Sequence, residues 1–231
     1  MTAERPLIIA IDGPAGSGKS TIAARLARKL GYLNLESGAM YRALAFKALR
    51  QQVSLDDPVA LRRLADETKI ELEPRPDGNR VLLDGQDVSQ RIREADVTLG
   101  ASRVSVHPSV REVMVQRQRE MGARGGVVME GRDIGTAVFP DGDVKIFLDA
   151  DARIRAERRV AQNGTHTPEE AQRIVEELVL RDQRDRTRAV SPLVPAPDAI
   201  ILDSTNLSLD EVLVRVEQIV QLKLTAHYGP A

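Results

Sequence analysis

The amino-acid sequence predicts an α/β fold, a parallel sheet with helices on both faces, and three observations carry that expectation. Short apolar runs at 7–11, 127–129, 145–148 and 199–202 alternate with longer stretches of helical periodicity, as expected of strands covered on both sides by crossover helices. Each run is followed by a carboxylate, Asp12, Glu130, Asp149 or Asp203. Polar chemistry therefore collects at the strand ends, where open α/β sheets bind ligands. The first run leads through a glycine-rich loop into an alanine-rich stretch reaching Leu30, which reads as strand, turn and helix in succession.

The remaining elements follow in order. A further short strand is expected at 32–35. Between 69 and 89 the pattern changes to Ile70-Glu71-Leu72-Glu73, a turn at Pro74-Arg75-Pro76-Asp77-Gly78, and Arg80-Val81-Leu82-Leu83, which predicts an antiparallel hairpin in an inserted lobe. Helices are expected at 109–124, 152–163, 168–188 and 209–226. Asn163-Gly164-Thr165-His166-Thr167-Pro168 interrupts the helical pattern inside an arginine-rich region, as the tip of a lid would. With 231 residues and 42% apolar content, one folding unit over 1–231 is expected.

Composition narrows the function. Lys and Arg total 33 against 34 for Asp and Glu, a formal net charge of −1, so no global field draws the chain to nucleic acid or an anionic membrane. Phosphate recognition, if present, is local. Cysteine is absent, which excludes a disulfide framework, a thiolate metal site and a cysteine nucleophile. No apolar run approaches the roughly 20 residues of a spanning helix, and the start shows no basic region feeding an apolar core. A cytoplasmic monomer is the expectation.

Gly13-Pro14-Ala15-Gly16-Ser17-Gly18-Lys19-Ser20 fits G-x-x-x-x-G-K-[ST] between the first strand and its helix, the context that the phosphate-binding P-loop requires. Glycines let backbone N–H groups turn inward around phosphate oxygens, and the helix N-terminus adds a favourable dipole. Lys19 supplies a point charge to the terminal phosphates, Ser20 a hydroxyl for Mg2+, and Thr21 follows on the first helical turn. ATP or GTP binding is the implication. No asparagine precedes a lysine and no Asp-x-x-Gly occurs, so a GTPase lacks its guanine reader and switch. A small kinase fits better, because it needs a second anion site and cations on something that closes. Ser37-Gly38-Ala39-Met40-Tyr41-Arg42 opens a helix and places Arg42 one turn in, where its guanidinium can fork onto a phosphate. Gly131-Arg132-Asp133 stands at the end of the strand beside the loop. Arg181, Arg184, Asp185 and Arg188 share one helical face, as a site or as a solvated stripe in which Asp182 and Arg186 are paired charges. Glu130 and Asp12 either orient magnesium's water shell or cap strand ends.

Together with Ala101-Ser102-Arg103-Val104-Ser105, Val110-Arg111, Gly131-Arg132-Asp133-Ile134-Gly135-Thr136, Val138-Phe139-Pro140, Lys145-Ile146-Phe147-Leu148-Asp149 and the block 181–193, these segments resemble the bacterial cytidylate kinases over nearly the whole chain. The resemblance implies a P-loop kinase fold with five parallel strands, a core at 1–36, 104–150 and 190–231, an acceptor-nucleotide lobe at about 37–103 and a lid at about 151–189. It implies ATP and Mg2+ as co-substrate and ion, and CMP or dCMP as acceptor. Arg42, Arg132 and Arg188 are similar to the groups on the acceptor phosphate, Ser102, Arg181 and Asp185 to those around its ribose, and Ser37, Arg111 and Asp133 to the base readers. Arg158 and Arg184 match lid arginines near the ATP phosphates. With Lys19, the implied catalytic set is Arg132, Arg158, Arg184 and Arg188. A kinase for another acceptor, such as UMP, AMP or shikimate, and a non-catalytic ATP switch are the alternatives.

Overall fold

The computed structural model describes residues 5–75, 78–164 and 167–228. In chain order the elements are β1 (Ile8–Asp12), α1 (Lys19–Leu30), β2 (Leu33–Glu36), α2 (Ser37–Arg50), α3 (Pro58–Asp66), β3 (Ile70–Arg75), β4 (Gly78–Leu83) and β5 (Gln86–Asp87). There follow α4 (Ala95–Val104), α5 (Pro108–Gly122), β6 (Val127–Gly131), β7 (Val144–Asp149), α6 (Ala152–Asn163), α7 (Pro168–Thr187), β8 (Ile200–Asp203) and α8 (Leu209–Tyr228). Five strands form a parallel sheet in the order β2-β6-β1-β7-β8. The expected α/β class and all five expected strands are therefore present.

The sheet is central because its middle strands are apolar on both faces. Ile9, Ala10 and Ile11 are fully buried, and burying such aliphatic side chains is worth about 1.5–3 kcal/mol each. One apolar cluster joins β1 and β7 to Ile22, Leu26, Val212 and Val216 of α1 and α8. A second lies on the opposite face around Met129, Ile134, Val138 and Phe139. Register then fixes the site, since Asp12 aligns with Gly131 on one side and Phe147 on the other. Glu36 aligns with Glu130. The carboxylates foreseen at the strand ends thus stand along one edge.

The inserted lobe has its own apolar cluster, from Ala39 of α2 through Leu61, Leu83 and Val97 to Met114 of α5. The expected hairpin is present, with Ile70 opposite Leu83 and Leu72 opposite Val81. Of its turn, residues 76–77 lie outside the described set, as do 165–166 at the expected lid tip. The structure adds elements not foreseen: α3, α4, the two-residue strand β5, a 3-10 turn at Arg91–Arg93 and a π-type turn at Ile134–Val138. Asp57 caps α3, accepting from Val59 and Ala60 N–H at 3.0 Å, with Pro58 as its first residue, a start signal present in the sequence. Helix α7 stops one residue short of expectation, because Arg188 is extended at φ −62° and ψ 141°.

Candidate active site

The P-loop has the shape its glycines permit. A Cβ on Gly13 would sit 2.0 Å from the Leu148 carbonyl oxygen, and Gly18 caps α1 at φ 93°, so neither position accepts a side chain at low cost. Lys19 is buried and curls back, donating to the Pro14 carbonyl at 2.6 Å and to Ser17 Oγ at 3.3 Å. It makes no ion pair among the described residues, and burial, reinforced by nearby Arg132, pulls its pKa down to about 7. Ser20 donates to Glu130 Oε1 at 3.1 Å. Thr21 follows on the exposed side of the first turn.

Asp12 has a structural task. Its two carboxylate oxygens accept the N–H groups of Ile134 and Gly135 at 2.8 and 2.7 Å. Those donors open a wide π-type turn at Ile134–Val138, so Asp12 braces the segment that displays Arg132 and Asp133. Burial raises its pKa to about 7, against the lowering effect of the two amides.

Around this brace runs a buried ion network. Arg111 pairs with Asp133 Oδ2, Arg188 Nη2 approaches Asp133 Oδ1 at 3.4 Å, and Arg132 Nε donates to Asp185 Oδ2 at 3.0 Å. Arg188 also donates to the Ser191 carbonyl at 2.5 Å. Burial disfavours the Asp185 anion, yet Arg132, Arg181 and Arg188 together hold its pKa below the usual carboxylate range. Arg42 bonds Glu36 at 2.5 Å, and Glu36, likewise opposed by burial, is kept ionised by Arg42, Arg93 and Arg181. Although Asp185 lies near enough to favour its charge, Arg181 makes no ion pair among the described residues. Burial, then Arg132, pulls it down to about 10, with Arg42 and Arg159 adding to the repulsion. The pocket therefore holds more cation than carboxylate.

It also holds unsatisfied polar atoms. Arg42 Nε, Arg111 Nε, Arg181 Nε, Arg188 Nη2, Ser102 Oγ and Tyr41 Oη are buried without a hydrogen-bond partner. Native interiors leave few such groups, so a cluster of them in one place marks a missing polar ligand. Ser37 lies against the strand end, its Oγ 2.5 Å from where a Gly131 Cβ would stand. Tyr41 turns its ring towards Arg111, 5.7 Å from guanidinium carbon to centroid. The contacts above bring together Ser37, Arg42, Arg111, Arg132, Asp133, Arg181, Asp185 and Arg188, from α2, α5, the β6 end and the last two turns of α7 with the residue after it, while Ser102 lies buried on α4.

The chain matches the cytidylate kinase family model over residues 9–222. A cytidylate kinase of Anoxybacillus flavithermus is 50% identical over 219 residues, covering 94% of this chain and 97% of that one. Another, of Solibacter usitatus, is 48% identical, covering 97% and 96%. The chain belongs to the cytidylate kinase family. A solved structure of an uncharacterized protein from Eubacterium ventriosum, 14% identical, superposes with a TM-score of 0.51 over 94% of this chain and 99% of that one, a likeness of fold alone. Among the described residues no helix is long and apolar enough to cross a membrane.

Two of the family-matched arginines stand apart from the phosphate loop. Arg158 donates to Ser204 Oγ at 3.1 Å and to the Ser204 and Leu207 carbonyls at 2.7 and 3.3 Å, beyond the end of β8. Arg184, half-buried on α7, makes no ion pair among the described residues. Two residues that sequence reading did not choose reach the P-loop instead: Arg155, and Asp182, noted only as a paired charge. Asp182 accepts the Ala15 N–H at 3.3 Å, and Arg155 donates to the Ala15 carbonyl at 2.9 Å. Tyr41, quoted only within the segment 37–42, and Arg159 were not singled out either. Within an arginine-rich stretch, no local spacing separates Arg155 and Arg159 from Arg153 and Arg158, because which of them faces the loop depends on the lid's docking.

Proposed function

We propose that this pocket transfers the γ-phosphoryl group of MgATP to CMP, and to dCMP, giving CDP or dCDP and ADP. The chain is an ATP-dependent nucleoside monophosphate kinase by family; the residue roles are the reading offered here. The observation that carries it is the buried, cation-rich pocket beside the P-loop, where Arg42, Arg111, Arg181 and Arg188 keep donors without partners. A nucleotide phosphate and its ribose and base supply the missing acceptors.

The acceptor phosphate oxygen is anionic near neutral pH, so no general base is needed. That oxygen bonds to the γ-phosphorus as the bond from the γ-phosphorus to its bridging oxygen breaks, and the electron pair leaves on ADP. Lys19 moves from the Pro14 carbonyl onto the donor phosphates, while Arg42, Arg132 and Arg188 hold the acceptor phosphate and Arg158 and Arg184 close from the lid. Catalysis is then positioning and charge stabilisation. One cation at about 4 Å from a phosphate charge is worth roughly 4 kcal/mol at an effective dielectric near 20, so several offset the repulsion between the two anions. Ser37, Arg111 and Asp133 read the base, and Ser102, Arg181 and Asp185 the ribose. No cluster of three or more carboxylate or histidine ligands exists among the described residues. Ser20, exposed and bonded to Glu130, fits a magnesium ion that takes its other ligands from phosphate and water, and that ion supplies charge neutralisation on the transferring phosphates. A cytoplasmic monomer is part of the same proposal.

An acceptor panel with ATP and Mg2+ tests it. ADP formation that depends on CMP or dCMP, and is weaker with UMP, AMP and shikimate, is the expected outcome. ADP formation that ignores CMP would overturn the reading.

A further inference from the structure

The lid's side-chain hydrogen bonds to the phosphate loop, among the described residues, converge on Ala15, and a buried ion pair makes them. Ala15 donates its N–H to Asp182 Oδ1 at 3.3 Å and accepts at its carbonyl from Arg155 Nη1 at 2.9 Å. Arg155 Nη1 also donates to Asp182 Oδ2 at 2.5 Å, and its Nε donates to the Ala150 carbonyl at 2.9 Å. The clamp is therefore anchored to the end of β7 as well as to both lid helices. Arg155 and Asp182 are only 4% and 8% exposed. The lid backbone closes the remaining space, for a Cβ on Gly16 would lie 2.9 Å from the Arg155 carbonyl oxygen.

Asp182 sits on α7 between Arg181 and Asp185, whose partners lie on the acceptor side. Asp185 receives Arg132 at 3.0 Å, and Arg181 is buried among Arg132, Arg42 and Arg159 with its Nε unpartnered. One helix turn therefore presents Asp182 to the donor loop and Arg181 and Asp185 to the acceptor pocket. A carboxylate beside the loop would repel ATP if it stood alone. Arg155 neutralises it, so the pair acts by holding the Ala15 backbone.

We propose that Arg155 and Asp182 are positioning residues that couple the two nucleotide sites. An acceptor bound to Arg181 and Asp185 fixes α7, α7 fixes Asp182, and the clamp orders Ala15 before ATP arrives. The ordering cost is met once by the first ligand, which makes the second bind more tightly, and the coupling is reciprocal. This rests on the kinase reading above, with donor at the P-loop and acceptor against α7.

The test is the affinity of the full-length protein for a non-hydrolysable ATP analogue with Mg2+, measured with and without saturating CMP, in wild type, D182A, R155M and R155K. In the wild type, CMP is expected to tighten the analogue about five-fold or more, the range of ordinary coupling. The ratio should fall to within about two-fold of unity in D182A and R155M, while R155K, which keeps the charge, retains part of it. Affinity for CMP alone should not weaken, because a decoupled variant binds CMP without ordering the loop. A wild-type ratio near unity, or a wild-type ratio retained in both disruptive variants, overturns the coupling. Hydrogen exchange on the wild type is independent of whether the variants fold: CMP alone should slow exchange across residues 13–18, and unchanged exchange there overturns the proposal. A wild type that binds no CMP sinks the kinase reading and the coupling together, whereas CMP turnover with an unchanged ratio sinks the coupling alone.

Discussion

The two halves of the pocket handle positive charge in opposite ways. On the acceptor side Arg42, Arg111, Arg132 and Arg188 each stand against a carboxylate of Glu36, Asp133 or Asp185. On the donor side Lys19 is as deeply buried, yet it leans on backbone and serine oxygens and has no ion pair among the described residues. A guanidinium already bonded to a carboxylate has a fixed place, so it can distinguish shapes. A buried lysine without one keeps its amino group free for the ligand. Shape selection is thus expected on the acceptor side and transition-state stabilisation on the donor side.

The largest effect should follow from Lys19→Ala. Losing one well-placed electrostatic group costs on the order of 3 kcal/mol in transition-state stabilisation, roughly a hundred-fold in kcat. The fold should survive, since the substitution removes a buried charge without its own ion pair, and circular dichroism checks that. Near wild-type turnover by a folded Lys19→Ala protein would break the comparison at its donor end.

A smaller and more selective effect is expected at Asp133. Cytosine offers a donor at N4 and acceptors at N3 and O2, whereas uracil offers an acceptor at O4 and a donor at N3. In the proposed reading Asp133 and Arg111 match cytosine, and each mismatch with uracil costs about 1–3 kcal/mol. Because Asp133 faces both Arg111 and Arg188, alanine would strand two buried cations, a loss of about 3–5 kcal/mol for a broken buried pair. Asp133→Asn keeps the shape and is the cleaner variant. Its kcat/KM should fall more for CMP than for UMP, narrowing the preference about ten-fold. A disturbed phosphate ligand penalises both nucleotides equally, so an unchanged CMP to UMP ratio removes Asp133 as a base reader.

What the sequence disclosed follows the same division. The donor side was legible because the P-loop is one contiguous stretch whose strand and helix adjoin it, and Lys19, Ser20 and Gly13 fall where the pattern puts them. Arg42, Arg132 and Asp133 were also legible locally, at a helix start and a strand end. Ser37, Ser102 and Arg111 carried no local signal and came from resemblance; Ser102 and Arg111 belong to α4 and α5, brought to the sheet edge only by the lobe's packing. Arg155 and Asp182 were missed for the same reason, because their partner Ala15 lies 140 and 167 residues away. Asp12 was read as a magnesium or capping carboxylate, and its bonds to Ile134 and Gly135 are long-range contacts that no periodicity encodes.

The smallest expected effect is a proton. Burial, with Arg132 beside it, lowers the Lys19 pKa to about 7, so without nucleotide the ammonium is largely neutral at pH 8.5. Donor phosphates favour the charged form and raise that pKa again. Binding should therefore take up protons wherever the pH lies above the free value and below the bound one. Below pH 7 Lys19 is increasingly charged already and uptake declines. Without nucleotide Asp12, raised to about 7 by burial, is mostly ionised at pH 8.5, and Arg181, lowered to about 10, is still mostly protonated there. Phosphate oxygens with a second pKa near 6 are fully ionised as well. Calorimetric titration of a non-hydrolysable ATP analogue with Mg2+ at pH 8.5, in buffers of different ionisation enthalpy, should give uptake of about one proton, declining towards zero at pH 6.5. Lys19→Met should abolish it while Asp133→Asn leaves it intact, because Asp133 serves the acceptor side. Equal uptake in Lys19→Met and wild type would mean that the donor loop stores no titratable charge, and the contrast between the two halves of the pocket would lose its electrostatic basis.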